Sequence, residues 1–345
     1  MRIAIFVPNF SGFSGDARVA LPQAQQLVAE GNQVKIFALS ANLFPENVKV
    51  SVLGMPRSPF LQRVYRLIFP INIFATRKVL AELNDYDVII SHLYPMNWLA
   101  YLAKKRFGMK YVFWYHGIPD PNLYSNLTER IYMKLFVWLT IKSISNADSV
   151  ISVSKYGRSQ LLGYSGPDSI VIYNQPDPKI FNRENDGRVL REKYNLGDSI
   201  VFLNVGRVCR LKGMHILSDA MPLIAAKIPH SKLIIVGEIT DKAYADELIK
   251  RSGENLIMTG YVDHRELAKY YAMSDIYVTA SRSECCPLPL MEAQMSGKPV
   301  VASDIEPHRE LIDENGILVP KCDAETFAES CIQMAIKVSK KPGDD

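Results

Sequence analysis

Short apolar runs alternate with helical patterns along almost the whole chain, and this constrains the fold more than any other feature. Residues 3–7, 34–39, 48–53, 88–91, 111–115, 149–153 and 170–172 read as strands. They are nearly continuous in hydrophobic residues, as strands of a parallel sheet covered on both faces must be. A second series follows at 200–205, 232–236, 256–259, 276–279, 298–302 and 317–319. Between the two lies NQPDPKIFNREND (residues 174–186), rich in Asn, Asp and Pro and poor in apolar periodicity, which reads as an inter-domain linker. The pattern predicts an α/β protein of two domains, residues 1–185 and 186–345, each a doubly wound, Rossmann-like parallel sheet. A chain of 345 residues agrees with two domains rather than one.

Composition narrows the function classes. A net charge of +4 is too small to argue for nucleic-acid binding. Five cysteines, an odd number without zinc-like spacing, fit a reducing cytoplasm and no disulfide framework. The opening MRIAIFVPNF reaches Pro8 and Asn9 too early for a signal peptide and reads as a buried strand. No stretch attains the ~18 apolar residues of a membrane span. Residues 59–83 read as one long helical region carrying Phe60, Arg63, Tyr65, Arg66, Phe69, Phe74, Arg77 and Lys78. Such a face suits an anionic membrane surface, or a helix packed on the sheet with arginines snorkelling outward. The apolar stretch at 130–142 reads as core or a docking surface.

The densest chemistry lies at 281–303, SRSECCPLPLMEAQMSGKPVVAS. Glu284 and Glu292 bracket a proline-punctuated turn into a short helix that Gly297 ends. Carboxylates are acceptor-only groups suited to sugar hydroxyls. The amides of Leu288, Leu290 and Met291 lie at the helix N-terminus, where partial positive charge suits a phosphate. Two glutamates eight residues apart also arise easily by chance. Their place after a strand and at the start of a helix raises the functional reading.

Three further stretches bear on it. The loop GRVCRLKG (206–213) follows the first strand of the second series and holds Arg207, Arg210 and Lys212, a forked pair of donors and a point charge suited to a diphosphate. In the first half, SGFSGD places Gly15 between strand and helix without the G-x-G-x-x-G fingerprint. Gly15 suits either close approach of a backbone amide to a phosphate or sugar, or the turn alone. His116, in WYHG, follows the strand at 111–115, where open α/β sheets bind ligands. His92 occupies the analogous place after 88–91 but lacks the following glycine, so His116 is preferred. Asp263 with Glu266 fits a capping box for the helix at 264–273.

Together, GRVCRLKG and the Glu284–Glu292 stretch resemble the retaining, nucleotide-sugar-dependent glycosyltransferases of the GT-B fold, in the large Glu-x7-Glu family (family 4, the group 1 type). The resemblance runs from SGFSGD to ENGILVP. It implies two Rossmann-like domains facing across a cleft, with the acceptor on the first and the donor on the second. By that resemblance Glu284 contacts donor-sugar hydroxyls and Glu292 the ribose. Arg207 and Lys212 hold the diphosphate and stabilise its charge as it leaves, without a metal. The amides of Leu288 and around Leu290 support the sugar or phosphate, and Tyr261 and Val262 border the base. Gly15 approaches the donor, and His116 lines the sugar site.

No cofactor is implied: a UDP or GDP sugar is the substrate, and the acceptor is a glycan, a lipid-linked group or a protein. The setting implied is cytoplasmic, or peripheral at the inner face of a membrane through 59–83. Three features depart from the family: Cys285, Cys286 and Pro287 replace small glycines, SDIEPHREL lacks a glycine pair before Glu310, and only KKPGDD follows the last helical pattern at 324–338 where relatives add a crossing helix. The competing readings are a non-catalytic nucleotide-sugar-binding protein and a sugar phosphorylase or epimerase on the same fold.

Overall fold

The structure, a computed structural model, describes residues 1–339 except Phe13, Ser125 and Lys321. The tail KKPGDD therefore lies outside the described residues. The chain forms two compact units, Met1–Asn174 and Gln175–Asp345. The stretch 174–186 thus falls almost wholly in the second unit. Its Phe181 is fully buried there, edge-on to Tyr271 at 5.7 Å.

The first unit carries β1 (Arg2–Phe10), β2 (Gln33–Ala41), β3 (Lys49–Val52), β4 (Val88–Ser91), β5 (Lys110–Tyr115), β6 (Ser149–Ser152) and β7 (Ile170–Val171). They pair in the order β3-β2-β1-β4-β5-β6-β7, all parallel. The second carries β8 (Ile200–Val205), β9 (Ser231–Val236), β10 (Leu256–Gly260), β11 (Ile276–Thr279), β12 (Val300–Ser303) and β13 (Ile317–Val319). Their order is β10-β9-β8-β11-β12-β13, again all parallel. Each unit is a Rossmann-like sheet covered by helices.

Period-two alternation explains why the strands are apolar throughout. Along β1, Ala4 and Phe6 enter one buried cluster while Ile3, Ile5 and Val7 enter the other. Along β8, Phe202 enters one cluster while Val201 and Leu203 enter the other. Successive side chains point to opposite faces, so both faces need apolar residues. Each fully buried aromatic or aliphatic side chain contributes about 1.5–3 kcal/mol.

Two local expectations are corrected. Residues 59–83 do not form one helix: Pro59–Ile68 ends in a 3-10 turn, Phe69–Ile71, before a second helix, Ile73–Glu82. Pro70 has no amide to continue the ladder, and Asn72 caps the next helix by accepting from the Ala75 N–H at 3.1 Å. The capping box at His264–Met273 is only half formed. Asp263 accepts from the Arg265 N–H at 3.0 Å, while Glu266 turns to Lys269 at 2.8 Å. Among the described residues, no helix is long and apolar enough to cross a membrane.

Candidate functional site

In an open parallel sheet, ligands bind beyond the carboxyl ends of the strands where the strand order reverses. In the second unit that point lies between β8 and β11. The loop after β8 is GRVCRLKG, and the loop after β11 runs from Ala280 to Pro287. Topology alone therefore brings the cationic loop beside the acidic one.

Backbone contacts lock the two loops together. Gly213, at φ +63°, starts helix Met214–Ala225, and a Cβ there would stand 1.9 Å from the Ala280 carbonyl oxygen. Only a glycine tolerates both the left-handed backbone and that approach. The Arg282 N–H donates to the Leu211 carbonyl at 2.9 Å. A similar approach joins the neighbouring loop, since a Cβ on Gly237 (φ +156°) would lie 2.0 Å from the Gly206 oxygen. Across this frame Lys212 Nζ donates to Glu284 Oε1 at 2.6 Å, with side chains only 23% and 14% exposed. Burial pushes the Glu284 carboxyl up, but the charge and hydrogen bond of Lys212, together with His308 and Ser281, more than offset it, so its pKa lies below the ordinary value.

The three cations of the loop have different fates. Arg210 leaves the switch point, donating to Glu247 at 2.9 Å with its guanidinium 4.8 Å from the Tyr244 ring centre. Arg207 is exposed. Lys212 holds Glu284.

Helix Leu288–Met295 begins after Pro287. The expected row of open amides is corrected here. Leu290 and Met291 donate to the Pro287 carbonyl at 3.1 and 3.4 Å, and Pro289 has no N–H, so the amides of Leu290 and Met291 are used inside the turn itself. The Leu290 side chain is fully buried in the core. Glu292, one helical turn on, is fully buried: the Tyr271 hydroxyl donates to it at 2.8 Å, and His264 Nε2 lies 3.8 Å away. The same hydroxyl reaches the Pro289 carbonyl at 3.1 Å, tying helix start and carboxylate together. Beyond β10, Tyr261 is 43% exposed while Val262 packs partly buried on the core.

In the first unit the order reverses between β1 and β4. Gly15 opens helix Gly15–Ala29 after β1; it is exposed, and nothing lies within 4 Å of a Cβ built on it. His92 follows β4 and His116 follows β5. The preference for His116 over His92 misses that adjacent strands bring both together: His92 Nδ1 and His116 Nε2 are 2.9 Å apart. Burial holds His116 at about 4, and burial with the His116 charge pushes His92 well below the usual imidazole range.

Comparison with known proteins decides the class. A family model described as Glycosyltransferase Family 4 matches residues 13–179, and one described as Glycosyl transferases group 1 matches residues 199–336. The chain is a glycosyltransferase of the GT-B fold. It is similar to an uncharacterized glycosyltransferase of Methanocaldococcus jannaschii, 25% identical over 90% of this chain and 82% of the relative. A phosphatidyl-myo-inositol mannosyltransferase of Mycolicibacterium smegmatis is 27% identical over 96% of this chain and 84% of that protein. The Anabaena protein HepE, in complex with UDP and glucose, superposes with a TM-score of 0.81 at 21% identity, covering 98% of this chain and 90% of HepE. In this glycosyltransferase, the neighbours that sequence reasoning missed are His264 and Tyr271 beside Glu292, and Gln23 beside His92; His92 itself is weighed and set behind His116. Nothing local marks them, because each acquires its place from a distant strand or helix.

Proposed function

We propose that this glycosyltransferase takes a nucleoside-diphosphate sugar as donor and retains the anomeric configuration. The observation that carries the reading is the Lys212–Glu284 contact at the β8/β11 switch point. A lysine already paired to a buried carboxylate can exchange that partner for, or share it with, a diphosphate, while the carboxylate receives a sugar hydroxyl. Arg207 and Lys212 then stabilise the charge that develops on the departing diphosphate, the electrostatic term that dominates group transfer of this kind. The Leu288 amide adds a donor, Glu292 takes the ribose, and Tyr261 and Val262 border the base. Gly15 and His116 are proposed as further donor-binding residues, on the family resemblance. The Glu284–Glu292 spacing supports retention through the family resemblance. Glu284 is held by a cation and Glu292 lies under Tyr271, so neither is assigned as a covalent nucleophile.

The acceptor is proposed to be lipid-linked and met at a membrane surface. Phe60, Ile71 and Phe74 are 72%, 74% and 89% exposed beside Arg63, Arg77 and Lys78. That composition suits an anionic interface, and the similar mycobacterial protein is named for a phosphatidyl-inositol acceptor. Donor-dependent release of nucleoside diphosphate on addition of lipid extract tests both parts. Turnover that vanishes in Lys212→Met supports the site, and donor binding without turnover on any acceptor favours a non-catalytic binding protein instead.

A further inference from the structure

Behind the Lys212–Glu284 contact lies a buried polar layer in the second unit. The carboxyl ends of β11 and β12, paired in the sheet, supply Thr279, Ser281 and Ser303. Helix Glu306–Leu311, in the stretch SDIEPHREL, supplies His308. All four are buried. Thr279 Oγ1 donates to Ser281 Oγ at 3.2 Å, and Ser303 Oγ donates to the Ser281 carbonyl at 2.6 Å. His308 Nδ1 stands 2.8 Å from the Ser303 carbonyl oxygen. The Ser281 hydroxyl in turn donates to Glu284, so the layer reaches the carboxylate that Lys212 holds.

These contacts fix the tautomer of His308. A carbonyl oxygen only accepts, so Nδ1 carries the proton of the neutral ring. Nε2 is then a bare lone pair, buried and without a hydrogen-bond partner among the described residues. A buried nitrogen left unpaired is costly and calls for a reason. Burial keeps the ring neutral, with its pKa below the usual imidazole value; Glu284 and the Ser303 carbonyl pull it up, and Lys212 pushes it further down. The two charges come from the loops after β11 and β8. On its own helix, Arg309 is turned to Asp304 at 3.0 Å, Glu306 is exposed and Glu310 is half-buried.

We propose that His308 is a positioning residue for Glu284: when a donor diphosphate engages Lys212, His308 takes up a proton from solvent at Nε2, and the imidazolium keeps Glu284 ionised and in place. The inference rests on the reading of Lys212 and Glu284 as donor-site residues and adds how the buried carboxylate keeps a counter-charge. The diphosphate brings two negative charges against the cation that disfavours the imidazolium, so donor binding and protonation favour one another. By linkage, donor affinity rises as pH falls through the bound-state pKa of His308 and levels off below its free-state value.

Calorimetric titration of the full chain with UDP-glucose, GDP-mannose and ADP-glucose, whose diphosphates do not titrate near neutrality, tests this. At pH 7 in PIPES and in imidazole, buffers of different ionisation enthalpy, the sugar nucleotide that binds should take up roughly 0.3–1 proton. Its affinity should rise about three- to tenfold from pH 8 to pH 6. His308→Asn, whose amide nitrogen can stand where Nδ1 stood and keep the bond to Ser303, should still bind but show no uptake and a flat pH profile. A purely structural role predicts native uptake in that variant. Either that result or no uptake in the native chain overturns the proposal and leaves the donor site standing. A second measurement needs no donor. In nitrogen-15 histidine spectra, His308, assigned by its loss in His308→Asn, should be neutral and protonated at Nδ1 at pH 7, and in Lys212→Met its titration should move up by about one unit. An unmoved titration overturns the coupling. If none of the three sugar nucleotides binds, the donor-site reading fails and the proposal falls with it.

Discussion

Replacing Lys212 by methionine keeps the length of the side chain and deletes its charge, leaving Glu284 in a site built for a pair. Removing one partner of a buried ion pair costs about 3–5 kcal/mol, because the other charge stays desolvated. With Lys212 and Glu284 23% and 14% exposed, some water reaches the pair, and about 2–3 kcal/mol is the expected loss. That corresponds to a fall in melting temperature of roughly 4–12 °C for a unit of this size.

The pH dependence is the sharper signature. In the native protein the Glu284 pKa is lowered, so the pair contributes stability above the unfolded carboxyl value of about 4.3 and loses it as pH falls through the folded value. In Lys212→Met burial, which raises the pKa, no longer has its main opponent. The folded pKa then lies above the unfolded one, and stability is present below about pH 4.3 and lost as pH rises through the new value. The melting-temperature difference between native and variant protein should therefore widen from pH 4 to 7. Glu284→Gln added to Lys212→Met should recover more than half of the loss, since no charge is then stranded. A difference that is flat in pH, or two substitutions that simply add, would refute the pairing argument.

Further outcomes follow from other contacts. Tyr271→Phe removes the hydroxyl shared by Glu292 and the Pro289 carbonyl and should cost about 1.5–3 kcal/mol, read as a lower denaturant midpoint at unchanged slope. Gly213→Ala forces a Cβ to within 1.9 Å of the Ala280 oxygen on a left-handed backbone and should cost about 2 kcal/mol or more in thermal melts. Gly15→Ala, with open space at its Cβ, should leave stability within about 1 kcal/mol while weakening donor binding if a ligand approaches that backbone. Because His116 titrates at about 4 when folded and near 6.5 when unfolded, its contribution is full above about pH 6.5 and lost as pH falls toward 4, by at most ~3 kcal/mol. Acid melts of the native protein against His116→Gln measure it.

The fold was legible because its strands are short, apolar and well punctuated. Residues 200–205, 276–279 and 317–319 are read at the same limits that the structure shows, as is the helix at 264–273. The break at Pro70 was visible too, and went unread because the aromatic and basic pattern continues across it. The site was legible as types of residue but not as pairings. Lys212 and Glu284 are 72 residues apart, and only the strand order β8-β11 makes them neighbours. The burial of Glu292 under Tyr271, the use of the Leu290 and Met291 amides inside their own turn, and the contact of His92 with His116 are likewise products of packing.

The most direct measurement is calorimetric titration of the protein with UDP, GDP and ADP and their sugars, repeated in Lys212→Ala. The account predicts that one nucleoside-diphosphate series binds saturably, and that the variant loses roughly tenfold or more in affinity, the worth of a charged hydrogen bond. Binding of no nucleoside diphosphate, or equal binding by Lys212→Ala, would contradict the assignment of the β8/β11 switch point as the donor site.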